Sequence, residues 1–191
     1  MKRHMQYFFI ITLTFILLLS GCDKRGGGQI SGELKQWHKI TLTFDGPELS
    51  ETGDENPFLD YRLLATFINE DQSITVPGFY AADGNAAETS ASSGNKWQVR
   101  FRPNSTGTWT YRVSFRTGEN IAVSDDAFAG EPVPSLDGEA GQFEIIESDK
   151  EGRDFRAKGR LEYVGERYLK FAGSDEYFLK GGADSPENLL A

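Results

Sequence analysis

The side chains able to do chemistry in this 191-residue chain are few: three tryptophans, two histidines, one cysteine and a surplus of acids, 29 against 20 lysines and arginines. Indole and phenol rings offer flat apolar faces that suit the apolar face of a sugar ring. Trp97 and Trp109 share their alternation with Val99, Phe101, Val113 and Phe115, which assigns them to a core. Trp37 has the opposite parity from Ile40, Leu42 and Phe44 and stands near Lys39, so it reads as exposed, and Tyr80 after "PGF" is a second exposed ring. These two are the candidate glycan contacts. His38 stands without a partner histidine or cysteine and reads as a strand-surface residue rather than part of a triad or metal site. The acidic stretches "DENPFLD" and "SDDAF" lack the ligand spacing of a calcium loop and read as solvated charge. Gly26, Gly27 and Gly28 lack the strand–helix context of a phosphate loop. No cofactor and no metal is implied. Near the end, Ser185 is a good helix N-cap, with Pro186 at the first helical position and Glu187 near the positive end of the helix dipole.

The first twenty-two residues carry a different message. Lys2, Arg3 and His4 precede an apolar stretch over residues 7–19, followed by Leu19-Ser20-Gly21-Cys22. A basic start, a short apolar core and a small-residue exit describe a secretory signal, and the stretch is short of the ~20 residues that span a bilayer. Leu-Ser-Gly-Cys resembles the lipobox of bacterial lipoproteins, which implies lipidation of Cys22 and attachment to a membrane of the cell envelope. Residues 22–35, with their three glycines, read as a flexible tether. Removing residues 1–21, and with them Lys2 and Arg3, leaves 170 residues and moves the net charge from −9 to −11. One cysteine allows no disulfide. An acidic chain with no basic cluster excludes nucleic acid as partner, because phosphates require a lysine and arginine footprint.

The elements that must position these residues are strands. Ile40, Leu42 and Phe44; Tyr61, Leu63, Ala65 and Phe67; Ile74 and Val76; Trp97, Val99 and Phe101; Trp109, Tyr111, Val113 and Phe115; and Phe143 and Ile145 each alternate with polar neighbours. A period of two with one buried face is the pattern of a half-buried strand. Turn-rich stretches separate them, and residues 118–141 read as a long irregular loop. The chain is therefore expected to be mainly β, an antiparallel β-sandwich of immunoglobulin type over residues 36–147. Residues 148–160 are charged, lack periodicity and read as a linker. Residues 161–191 read as a hairpin turning at Gly173-Ser174-Asp175, then a strand at residues 177–179, then the start of a helix.

At "NPFLDYRLLATF", "VPGFYAADG", "WQVRFRPNSTGTWTYRVSF" and "FLKGGADSPENLL" the chain resembles a domain family. This is the uncharacterised immunoglobulin-like domain that precedes the barrel of secreted bacterial proteins presumed to be glycoside hydrolases. The resemblance covers residues 36–191. It implies that residues 177–179 are the first strand of a (β/α)8 barrel that this chain does not complete, and that Asp184, Ser185, Glu187 and Asn188 lie on the active-site face, where they hydrogen-bond sugar hydroxyls. The catalytic carboxylates of related barrels lie on strands this chain does not reach, so no catalytic residue is expected here. The implied partners are polysaccharide or oligosaccharide, the membrane through Cys22, and the chain's own missing barrel. The alternative is a stand-alone envelope lipoprotein that binds glycan or a surface protein. Either way Leu169, Phe171, Phe178 and Leu179 are expected to be exposed.

Overall fold

A computed structural model describes residues 27–70 and 72–179. Cys22 and the four residues Asp184, Ser185, Glu187 and Asn188 lie outside the described residues. Two antiparallel sheets face one another. In the first, the order is β1 (Gln29–Gly32), β2 (Ile40–Ser50), β6 (Ser93–Phe101) and β5 (Phe79–Tyr80). In the second, β4 (Gln72–Pro77) pairs β3 (Tyr61–Asn69), which pairs β7 (Gly107–Thr117), and β7 in turn carries both β8 (Glu131–Pro132) and β9 (Ala140–Ile145). The alternation read from the sequence becomes the pleat of these strands. Every second residue of β7, from Trp109 to Phe115, is buried, and the residues between them face outward or are half-covered.

The core is aromatic. Phe67 stacks on Phe101 across the two sheets with ring centroids 4.0 Å apart, and Trp97 and Trp109 meet Phe115 and Phe101 edge-on at 4.7 and 5.0 Å. Edge-to-face pairs of this kind contribute about 0.5–1.5 kcal/mol beyond the area they bury. That density of rings explains how the sandwich closes without a disulfide. The register of β2 against β6 shifts between Asp45 and Leu49, where Pro47 lacks the N–H a ladder needs.

Three observations differ from the sequence reading. Gln29–Gly32, expected to be tether, pairs with residues 40–43 of β2 as an edge strand. The charged segment expected to be a linker contains a short helix, α2 (Phe155–Lys158), capped by the Asp154 carboxylate, which accepts the Arg156 N–H; α1 (Ala86–Thr89) lies in the loop before β6. Beyond α2, β10 (Leu161–Glu162), β11 (Leu169–Phe171) and β12 (Tyr177–Phe178) form a third, three-stranded antiparallel sheet. Here Phe171 is buried at 5% exposure, against expectation, while Leu169 and Leu179 are exposed. Phe171 is covered because the ring of Phe155 stacks on it at 5.5 Å. Among the described residues no helix is long and apolar enough to cross a membrane.

Candidate functional site

Trp37 and Tyr80 are both buried, at 8% and 5% exposure, and the structure does not bring them together. Parity along an extended chain puts Trp37 at the surface, and the position after "PGF" does the same for Tyr80; the first lies in a turn and the second in a strand, facing inward. Trp37 has φ +65, so it belongs to a turn rather than to β2, and its N–H donates to the carbonyl of Pro103 at 2.8 Å. Its indole lies against the small three-stranded sheet: a Cβ added at Gly159 or at Gly173 would stand 3.1 Å from the ring. Both glycines are therefore fitted to this tryptophan, and Gly159, at φ +87, needs its freedom of backbone as well. Tyr80 belongs to the two-residue strand β5 and pairs with Trp97. Its hydroxyl donates to the carbonyls of Leu49 and Gly94 at 2.5 and 3.0 Å. Burial pushes that hydroxyl above the usual tyrosine range. The exposed ring is its neighbour Phe79, with the Arg100 guanidinium 4.9 Å above it.

Around Trp37 the chain builds a joint. His38, expected on a strand surface, is 2% exposed. It is buried because it shares Trp37's turn, and its Nδ1 lies 2.9 Å from the carbonyl of Gln36. Its Nε2 is buried with no hydrogen-bond partner, 3.9 Å from Glu33. Ligand atoms of Glu33, His38 and Asp149 lie within 4.8 Å of one another, a spacing that a metal ion could use. The position is already held by a lysine. Lys35 Nζ bridges Glu33 and Asp149 at 2.9 and 2.6 Å, and Lys150 reaches the same two carboxylates at 3.6 and 3.1 Å. With Arg156 3.7 Å from Glu33, three cations face two carboxylates, and a dication would add to the surplus. The hydrogen bond from Lys35, then that from Lys150, holds Asp149 well below the usual carboxylate range; Arg156 brings Asp154 down to about 2. The cluster thus ties the segment that enters the sandwich to the segment that leaves it. Backbone pairing reinforces it, with Gln36 N–H donating to Ile146 at 2.9 Å and Ile146 N–H to Leu34 at 3.1 Å.

Tyr80 and Trp97 form the inner wall of a cavity of about 190 Å³, open to solvent where β4 crosses from one sheet to become β5 in the other. Phe58, Tyr61, Phe79 and Ala122 also line it, as does one charged residue, Arg62. Its tightest point is Gly78, where a Cβ would stand 2.4 Å from the Leu63 side chain. A second cavity, of about 300 Å³, is lined by Asp45, Lys96 and Glu139 beneath the entering Gly27 and Gly28. Burial raises the Glu139 carboxyl, and its Oε2 has no hydrogen-bond partner. Two acids lining one cavity, one of them raised by burial, resemble the pairing of a glycosidase. Asp45, however, is ion-paired with Lys96, which removes it as a free nucleophile or base. Two of the three acids of "DENPFLD" are likewise engaged. Glu55 accepts from the Tyr61 hydroxyl at 2.6 Å, and Asp60 accepts the N–H groups of Asn56 and Asn120 at 3.1 and 3.0 Å.

What the arrangement can do chemically is hold and present, by aromatic walls and a fixed joint. Residues 33–116 match a domain family described as a domain of unknown function (DUF5060). Among solved structures, a presumed glycoside hydrolase from Bacteroides vulgatus is similar at 25% identity over 75% of this chain, with a TM-score of 0.49. The chain spans 20% of the length of that protein. No curated protein matches the chain.

Proposed function

We propose that this chain is the non-catalytic front portion of a glycoside hydrolase of the cell envelope, anchored through Cys22. Its β-sandwich, of immunoglobulin type, would brace a (β/α)8 barrel and help to present polysaccharide to it. The observation that carries this reading is the joint. The chain leaves the sandwich through an ion-paired cluster and a tryptophan seated on two glycines, so the small sheet is held at a set orientation. A linker whose only task was to connect would not need those contacts. The small sheet also leaves Tyr163, Leu169, Tyr177 and Leu179 in water, an apolar surface suited to a further domain. The motifs shared with domains that precede barrels supply the enzyme class, and the engagement of Asp45, Glu55 and Asp60 supports an accessory role.

On this reading residues 177–179 lead into the barrel, and Asp184, Ser185, Glu187 and Asn188 lie at its sugar-binding face, with Ser185 also capping the helix. The test is enzymatic. Residues 27–191 should release no reducing sugar from any of a panel of polysaccharides, whereas the complete product of the native gene should. Deleting residues 27–147 from that product should lower its activity or its melting temperature. Turnover by residues 27–191 alone would overturn the accessory role, and a native gene whose product has no barrel would overturn the enzyme class.

A further inference from the structure

Residues 118–130 form a loop that is fixed in place yet holds apolar side chains in water. Its first half is sewn to the segment before β3: Gly118 N–H donates to Asp60 O at 3.0 Å and Ala122 N–H to Leu59 O at 2.9 Å. Ile121 is buried beneath it, and Gly130, at φ +73, lies so close that a Cβ there would meet Ile121 at 2.3 Å. Its second half is held by two arginines that are cross-strand partners, Arg62 of β3 and Arg116 of β7. Arg62 donates to the carbonyls of Ser124 and Ala127 at 2.9 and 3.0 Å. Arg116 donates to those of Ala129 and Phe128 at 2.8 and 3.0 Å. Hydrogen bonds from a charged donor are stronger than neutral ones, and these help to offset the ordering of the loop. Yet Phe128, at the centre of this clamp, is 85% exposed, and Val123 is 71% exposed. Ordering an aromatic side chain in water gains nothing within this chain.

Beside the knob lies a hole. Ala122, one residue before Val123, lines the 190 Å³ cavity whose inner wall is Tyr80 and Trp97. A cavity of about 150 Å³ with apolar walls admits benzene, so this one is large enough for a phenyl ring. The chain's own Phe128 does not enter, because Arg62 and Arg116 fix its carbonyl and those of its neighbours. The charges also match. Asp125 and Asp126 flank the knob and are exposed, while Arg100, over Phe79 at the cavity rim, has no carboxylate within ion-pair distance among the described residues. Knob and hole lie side by side on one face, as an isologous twofold contact requires.

We propose that this face is the interface of a homodimer. Phe128 of each copy enters the Tyr80–Trp97 cavity of the other, and Asp125 and Asp126 approach the partner's Arg100. The contact is independent of the enzyme assignment, since it uses only the sandwich. It is tested on residues 27–191, which retain every described element and the whole core. Sedimentation equilibrium from about 1 to about 100 µM covers the range in which specific interfaces of ordinary size associate. A reversible monomer–dimer equilibrium is expected. Buried aromatic anchors cost about 2 kcal/mol or more when removed, and each dimer has two, so Phe128→Asp should weaken association at least a hundredfold with an unchanged melting temperature. Arg100→Glu and Asp126→Arg should each weaken it tenfold or more, and the double variant should recover most of the loss. A monomer throughout that range overturns the proposal, and so does a dimer indifferent to Phe128→Asp or to the charge exchange.

Discussion

Replacing Trp37 with alanine is expected to release the three-stranded sheet while leaving the sandwich folded. The small sheet pairs only Leu161–Glu162, Leu169–Phe171 and Tyr177–Phe178, seven residues in all. Ordering costs about 1–2 kcal/mol per residue, and each ladder hydrogen bond returns about 1 kcal/mol net, so such a sheet does not persist unaided. Its stability comes from docking: Phe155 on Phe171, and Gly159 and Gly173 on the indole. Trp→Ala at a buried site costs about 3–5 kcal/mol. The backbone N–H of residue 37, which donates to Pro103, is kept in the variant, so the loss comes from the indole alone. If about 3 kcal/mol falls on the joint, opening becomes roughly a hundredfold more frequent. Hydrogen exchange followed by mass spectrometry reads this directly. The amides of Ala172 and Gly173, which donate to Arg160 and Lys158, should lose about two decades of protection, while peptides covering 97–116 keep theirs. Unchanged protection of residues 169–173, or an equal loss in both regions, would refute the claim that the indole is what docks the sheet.

Other outcomes follow from the same geometry. Trp97→Ala removes a ring wedged between Tyr61, Tyr80 and Phe115, and should lower global stability by about 3–5 kcal/mol in urea unfolding without a change in m-value. Asp149 and Asp154 are held below their ordinary values by Lys35 and Arg156, so their contribution is present above about pH 4 and is lost as pH falls through the folded values; exchange protection at residues 169–173 should hold at pH 5 and decline toward pH 2. Glu139 behaves in the opposite sense. Burial raises its carboxyl, so it favours the fold at low pH and opposes it as pH rises; Glu139→Gln should raise the melting temperature at pH 8 and not at pH 4. Lys35→Ala should admit Zn²⁺ to Glu33, His38 and Asp149, seen as a melting shift with Zn²⁺ that the wild type lacks and that Lys35→Ala/His38→Ala loses.

Where the backbone stays extended, the alternation of residue types was enough to find it. Ile40, Leu42 and Phe44, or Trp109 through Phe115, have one face against the opposing sheet, and a period of two records that fact directly. The reading failed where the backbone leaves extension. Parity counted back from Ile40 put Trp37 on the wrong side because φ turns positive there, and the surface reading of His38 overlooked that it has the parity of Ile40. Gln29–Gly32 has a single apolar residue, Ile30, too little pattern to distinguish an edge strand from a tether. Most of the joint was invisible for a different reason. Lys35 and Asp149 are 114 residues apart in sequence, and a charged segment looks the same whether its charges meet water or one another.

The loop at residues 118–130 shows how far such reading reaches. Acidity and lack of periodicity make residues 118–141 read as irregular throughout, whereas the span holds a 3-10 turn at Ile121–Val123, β8 and the start of β9; irregularity is also easily equated with mobility. What fixes the loop lies elsewhere, on β3 and β7, where Arg62 and Arg116 occupy the outward parity and read only as solvated strand residues. Their pairing depends on the register of two strands that are some fifty residues apart, which no local pattern contains. Once that register is set, two guanidinium groups stand side by side over carbonyls of one loop, and Phe128 becomes a fixed projection rather than a loose one. The aromatic that local pattern leaves unassigned is thus the one the fold takes most trouble to present.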